Sequence, residues 1–124
     1  MIRIGIFAVL ALYAGWLNAG HQHTEKWYQD QWCEWITEHR LDDGTRVDCL
    51  TPDHAIEVDF ARKWYEGVGQ ALHYARMTDR CPGVLLIIEQ PDDCKYLARL
   101  RLLSTRNRPQ MKIWSTGPAA SRCN

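Results

Sequence analysis

Apolar and polar positions recur along the chain in blocks whose period changes, and each change predicts an element. Behind the capping residue Thr24, the pairs Trp27/Tyr28, Gln31/Trp32 and Trp35/Ile36 return in steps of four, which predicts a helix over residues 25–39 with an aromatic core stripe. The turn pair Asp43-Gly44 lies between two short strand-like runs, so residues 40–50 read as a hairpin. Thr51-Pro52-Asp53-His54 turns the chain into residues 55–61, where Ile56, Val58 and Phe60 alternate with Glu57 and Asp59 at the period of a strand. Residues 62–78 predict a second helix with Trp64, Val68, Leu72 and Ala75 inward. The unbroken apolar run 84–88 suits a strand covered on both faces. Asp92-Asp93 opens a third helix beside its positive end, with Tyr96, Leu100 and Leu103 inward, until Asn107-Arg108-Pro109 stops it. Residues 111–114 add a last strand, and the tail from about Ser115 is expected to be loose.

The predicted order is α-β-β-β-α-β-α-β. An α/β domain satisfies it, with a mixed central sheet flanked by helices, because the strands after the second and third helices can join in parallel through crossovers.

Residues 1–20 differ in kind. Arg3 precedes a run without charge that ends in Leu17-Asn18-Ala19-Gly20, the pattern of a secretory signal peptide followed by a single domain over residues 21–124. The apolar run over residues 4–17 is shorter than the roughly 20 residues of a membrane span, so no stable span is expected and an uncleaved anchor is the alternative. Export places the five cysteines, Cys33, Cys49, Cys81, Cys94 and Cys123, in an oxidising compartment, periplasmic or extracellular. Their pairing is open, and the odd count leaves at least one thiol. His21 and His23 read as part of a disordered polar leader, with copper or nickel chelation by a freed amino terminus as the other reading.

The formal net charge is zero, which excludes a generally basic polyanion binder. The charges are nonetheless unevenly placed: residues 95–124 hold seven of the fifteen basic residues and no acid. Lys95, Arg99, Arg106 and Arg108 on this basic end are candidate phosphate contacts, with a solvated helix face as the plain alternative.

Acids supply the other candidate chemistry. Strand alternation sets Glu57 and Asp59 on one face, and a short meander lays Asp48 of the preceding strand beside them. Three converging carboxylates raise one another's pKa unless a cation lies among them, and all-oxygen sites suit Mg²⁺ or Mn²⁺. From the second helix, Lys63, Gly67, Gln70 and Tyr74 form a stripe, so Lys63 and Gln70 are expected to face the carboxylates. The plain reading of the same residues is a solvated sheet face with ion pairs. At helical spacing Trp27, Tyr28, Trp32 and Trp35 are expected in the core rather than as a base-stacking platform.

Val47-Asp48, Glu57-Val58-Asp59 and Glu66-Gly67-Val68-Gly69-Gln70-Ala71-Leu72-His73-Tyr74-Ala75 together resemble the core of the PD-(D/E)XK nuclease superfamily, the restriction-endonuclease-like fold. Members of that group carry an Asp on one strand, Glu-x-Lys on the next, and a helix that often contains Gly-Gln and Tyr-Ala. The chain also resembles small bacterial proteins of that type through Lys26-Trp27-Tyr28-Gln29 and Asp43-Gly44-Thr45-Arg46-Val47-Asp48-Cys49-Leu50-Thr51. The resemblance implies metal binding by Asp48 and Glu57, with Asp59 alongside, a catalytic set completed by Lys63 and Gln70, and Mg²⁺ or Mn²⁺ as cofactor. It implies a metal-dependent phosphodiesterase acting on DNA. Asp59 stands where the group has its Lys, and Lys63 one helical turn onward is the candidate to replace it; Glu34 or Glu38 would match an additional acid of the group, with plain solvation as the favoured reading of both. Without the strand Lys, the alternative is a catalytically inactive binding or interaction module of the cell envelope.

Overall fold

The computed structural model describes residues 20–106 and 110–124. The predicted leader lies outside them except for Gly20. Among the described residues there are three α-helices and one five-stranded sheet, in the predicted order.

Helix α1 (Glu25–Trp32) is capped by Thr24, whose Oγ1 accepts the Trp27 amide at 3.1 Å. It is half the predicted length. Cys33 leaves helical geometry and is bonded to Cys49, and the following residues, β1 (Ile36–Arg40), pair antiparallel with β2 (Arg46–Leu50). The step-of-four spacing of Trp35/Ile36 with the upstream aromatics therefore does not reflect a helix. Trp27, Trp35 and Ile36 are exposed, and of the predicted aromatic stripe only Tyr28 is fully buried. The hairpin turn forms as predicted: Gly44 takes a φ of +86°, and Asp43 accepts the Thr45 amide at 3.0 Å.

Strand β3 (His54–Phe60) is the centre of the sheet. It pairs antiparallel with β2 and parallel with β4 (Cys81–Ile87), which in turn pairs parallel with β5 (Lys112–Thr116). Helix α2 (Trp64–Thr78) connects β3 to β4 after a 3₁₀ turn (Ala61–Lys63), and α3 (Cys94–Arg106) connects β4 to β5. Val84, Leu86 and Ile88 pack with Trp64, Ala71, Leu97 and Leu100 on the α2/α3 face. Leu85 and Ile87 join Ile56, Val58 and Tyr28 on the α1 face. Both faces of β4 are thus dry, as its unbroken apolar run requires.

Two further expectations are corrected. The tail is ordered: Ser115 and Thr116 extend β5, Ala119 is buried with its amide on the Ile88 carbonyl (3.0 Å), and Cys123 is bonded to Cys94. At Gly117, with φ of +106°, a Cβ would stand 2.5 Å from the Ile88 carbonyl oxygen, so the turn that returns the chain to β4 needs glycine. The segment before α1 is not a loose leader either. His21 Nδ1 (2.7 Å), the Gln22 amide (2.8 Å) and the Tyr28 hydroxyl (2.7 Å) all converge on the buried Glu89 carboxylate, and the His21 ring stacks on Phe60. No helix among the described residues is long and apolar enough to cross a membrane.

Cys81 is exposed and unpaired. Alkylation of the unreduced protein should therefore add one group per chain, with peptide mapping linking Cys33 to Cys49 and Cys94 to Cys123. Replacing Cys33 and Cys49 together by Ala should lower unfolding stability by about 2–4 kcal/mol in denaturant titration. Label found on Cys33 or Cys94 would contradict this pairing.

Candidate functional site

The register Cys49↔Ile56 and Leu50↔Ala55 brings the start of β2 alongside Glu57. Beyond those pairs the ladder is continued by a side chain, since Asp48 Oδ2 accepts the Val58 amide at 2.8 Å. That bond holds the Asp48 carboxyl against β3, where it is also hydrogen-bonded to the carboxyl of Glu57. Asp59 is two residues further along β3, on the same face as Glu57.

This face is not solvated. Glu57 is 6% and Asp59 4% exposed, because α2 lies across them. The helix comes close because residue 67 is glycine: a Cβ there would stand 2.6 Å from Asp59 Oδ2. Tyr74, one of the buried residues of α2, joins Val47, Leu50 and Ala55 at the other end of the cluster. Glu57 Oε2 and Asp59 Oδ2 are buried without a hydrogen-bond partner among the described residues. Burying a charged oxygen without a partner is strongly unfavourable, so the group must hold a proton or meet a cation.

The acidities reflect this. Burial pushes the Asp59 carboxyl up to about 8, helped by the charges of Glu25 and Asp48 and opposed by Lys63. Glu57 is raised by burial first, then by the charges of Asp48 and Asp59 and by its bond to Asp48. Asp48 is raised by burial, while the Val58 amide and the Glu57 hydrogen bond pull it back. Tyr74 is pushed up to about 12 by burial and then by the surrounding carboxylates.

Of the other expected site residues, Lys63 lies at the edge of the cluster, where its Nζ is 3.2 Å from Glu25 Oε1. Gln70 is exposed on α2 and makes no hydrogen bond to the carboxylates. The helical stripe thus delivers Gly67 and Tyr74 to the acids and leaves Gln70 outside. Glu34 is exposed in the connection from α1 to β1. Glu38 is on β1 with φ of +52°, accepts from the buried Gln29 side chain at 3.1 Å, and its charge raises Asp48. The acid that sequence reasoning missed is Glu25, in the first turn of α1, whose charge raises Asp48, Glu57 and Asp59 alike. An acid at that position has an ordinary explanation in the helix dipole, so no local signal marks it.

Among the described residues, no three His, Cys, Asp or Glu side chains stand as a ready-made metal cage. The basic end is separate. Lys95 pairs with Asp92 at 3.0 Å and lies over the Tyr96 ring with Arg99, while Arg108 and the Arg106 side chain lie outside the described residues. Comparison with protein-family models, with curated proteins and with solved structures gives no match.

Carboxyls whose folded pKa lies above the unfolded value stabilise the fold in their protonated state, and that contribution fades as pH rises between the two values. In the presence of a chelator, the protein should therefore lose stability from about pH 4 toward pH 8, the interval between the ordinary and the raised Asp59 values. Asp59→Asn, which is neutral at every pH, should flatten that slope in denaturant titrations. Stability that climbs steadily across the interval would contradict the burial of these groups.

Proposed function

We propose that Asp48, Glu57 and Asp59 take up a divalent cation, Mg²⁺ or Mn²⁺, and that the protein is a metal-dependent phosphodiesterase acting on DNA. The observation that carries this reading is the pair of buried oxygens, Glu57 Oε2 and Asp59 Oδ2, that lack a partner beside a third carboxylate. An all-carboxylate donor set suits a hard divalent ion, so the residues present fit the group. Such an ion supplies charge neutralisation for a phosphodiester and activates water near neutral pH.

The chain's own residues have distinct parts in this proposal. Asp48 is fixed by the Val58 amide and anchors the site, whereas Glu57 and Asp59 give up protons as the cation enters. Lys63, held by Glu25 at the rim, offers a positive charge to a phosphate oxygen. Lys95 and Arg99 on α3, which packs on the same side of the sheet as α2, offer further phosphate contacts. The restriction-endonuclease-like fold is part of the same proposal; it is supported by the order of elements and by an Asp on β2 beside Glu57 on β3. Two disulfides and the apolar leader support export to the periplasm or beyond.

One observation favours a second reading. Asp59 replaces the strand Lys of the nuclease pattern, and burial raises both Glu57 and Asp59, so protons alone could neutralise them. Under that reading the domain is a catalytically inactive binding or interaction module of the envelope.

Supercoiled plasmid incubated with Mg²⁺ or Mn²⁺ separates the two. The nuclease reading expects nicking that chelator abolishes and that Glu57→Gln lowers by at least about a hundredfold, while circular dichroism shows the variant folded. Equal inactivity of the folded wild type and variant would overturn it in favour of the module.

A further inference from the structure

The opposite face of the sheet holds a separate groove of about 430 Å³, lined by Trp32, Trp35, Trp114, Pro52, Glu34 and Asp53 among others. Its floor is Ile56, which alternates with Glu57 along β3 and so faces away from the acidic cluster. We propose that this groove binds a small organic cation of the quaternary-ammonium class.

Three features argue for it. Trp35, in the connection between α1 and β1, is 59% exposed and presents its indole to the groove it lines. Trp32 and Trp114 meet at 64° with ring centroids 5.4 Å apart, forming a corner of two aromatic walls. Ring faces of this kind attract cations; Lys112 Nζ, 4.9 Å from the Trp114 ring centroid, already engages that ring, which leaves the exposed Trp35 as the open one.

Charge selects among ligands that stack on tryptophan. Two carboxylates, Glu34 and Asp53, belong to the lining and no Lys, Arg or His does. Neither carboxylate forms an ion pair with a described residue; the nearby Arg80 is turned to the Pro52 carbonyl at 3.3 Å. His54, edge-on to Trp114, is held below its ordinary pKa by burial and by Lys112, against the opposing charge of Asp53. Unpaired carboxylates beside indole faces repel a nucleotide phosphate and favour a cation, whose weak hydration when fully alkylated lets it leave water for the rings.

The test follows the indole N–H resonances of Trp32, Trp35 and Trp114 in the full chain during titration with choline. A parallel titration uses 3,3-dimethylbutan-1-ol, which has the same shape without the charge, and a third uses adenosine monophosphate. Saturable shifts with choline alone are expected. Trp35→Ala and the double variant Glu34→Gln/Asp53→Asn change exposed positions only, and each should weaken choline binding by about tenfold. The proposal is overturned by the absence of saturable choline shifts, or by equal shifts with the neutral analogue. Shifts with the nucleotide instead of choline, or undiminished choline binding by either variant, would overturn it as well.

Discussion

The constraint on which the rest of the molecule turns is the burial of Glu57 and Asp59 beneath α2. A sheet this small could have kept its acids at an edge, in water. Instead they occupy the central strand, with β2 on one side and β4 on the other, and a helix laid over them through a glycine contact. Uncompensated, two charged oxygens in that position would cost more than a domain of this size can bear. Their neutralisation is therefore part of the fold, and whichever species neutralises them, proton or cation, is coupled to stability.

The surrounding structure reads as support for that arrangement. Asp48 substitutes for a backbone partner of β3, which fixes a third carboxyl where two are already buried. Small residues of α2, Gly67 and Ala71, face the sheet, leaving room that larger side chains would deny. Glu25 reaches the cluster from α1 and draws Lys63 to its rim. The two disulfides tie the outer parts of the chain to this centre: one joins the end of α1 to β2, the other joins the start of α3 to the C-terminal turn.

Much of this was readable in the chain. The strand period of residues 56–60 placed Glu57 and Asp59 together, and Asp43-Gly44 placed the hairpin, because both signals are local and stereochemical. The interior face of α2 was read only in part, for a physical reason. Periodicity gives weight to large apolar residues, so it put Trp64 and Ala75 inward, where they are buried, but also Leu72, which is exposed while Gly67, Ala71 and Tyr74 pack. A helix above buried acids needs close approach more than bulk. The overlong first helix has a similar origin, since aromatic spacing alone cannot register that Cys33 is committed to Cys49. Glu25, and the Glu89 carboxylate that gathers His21, Gln22 and Tyr28, depend on contacts across tens of residues, which no window along the sequence samples.

The most direct test of the buried acids is carboxyl carbon NMR of Glu57 and Asp59, titrated first in chelator and then with magnesium. In chelator, Asp59 should titrate near 8 and Glu57 well above the ordinary carboxylate range, and magnesium should move both downward as protons leave. Two carboxyls that titrate at their ordinary values of 4.5 and 3.8, with or without the ion, would contradict the account.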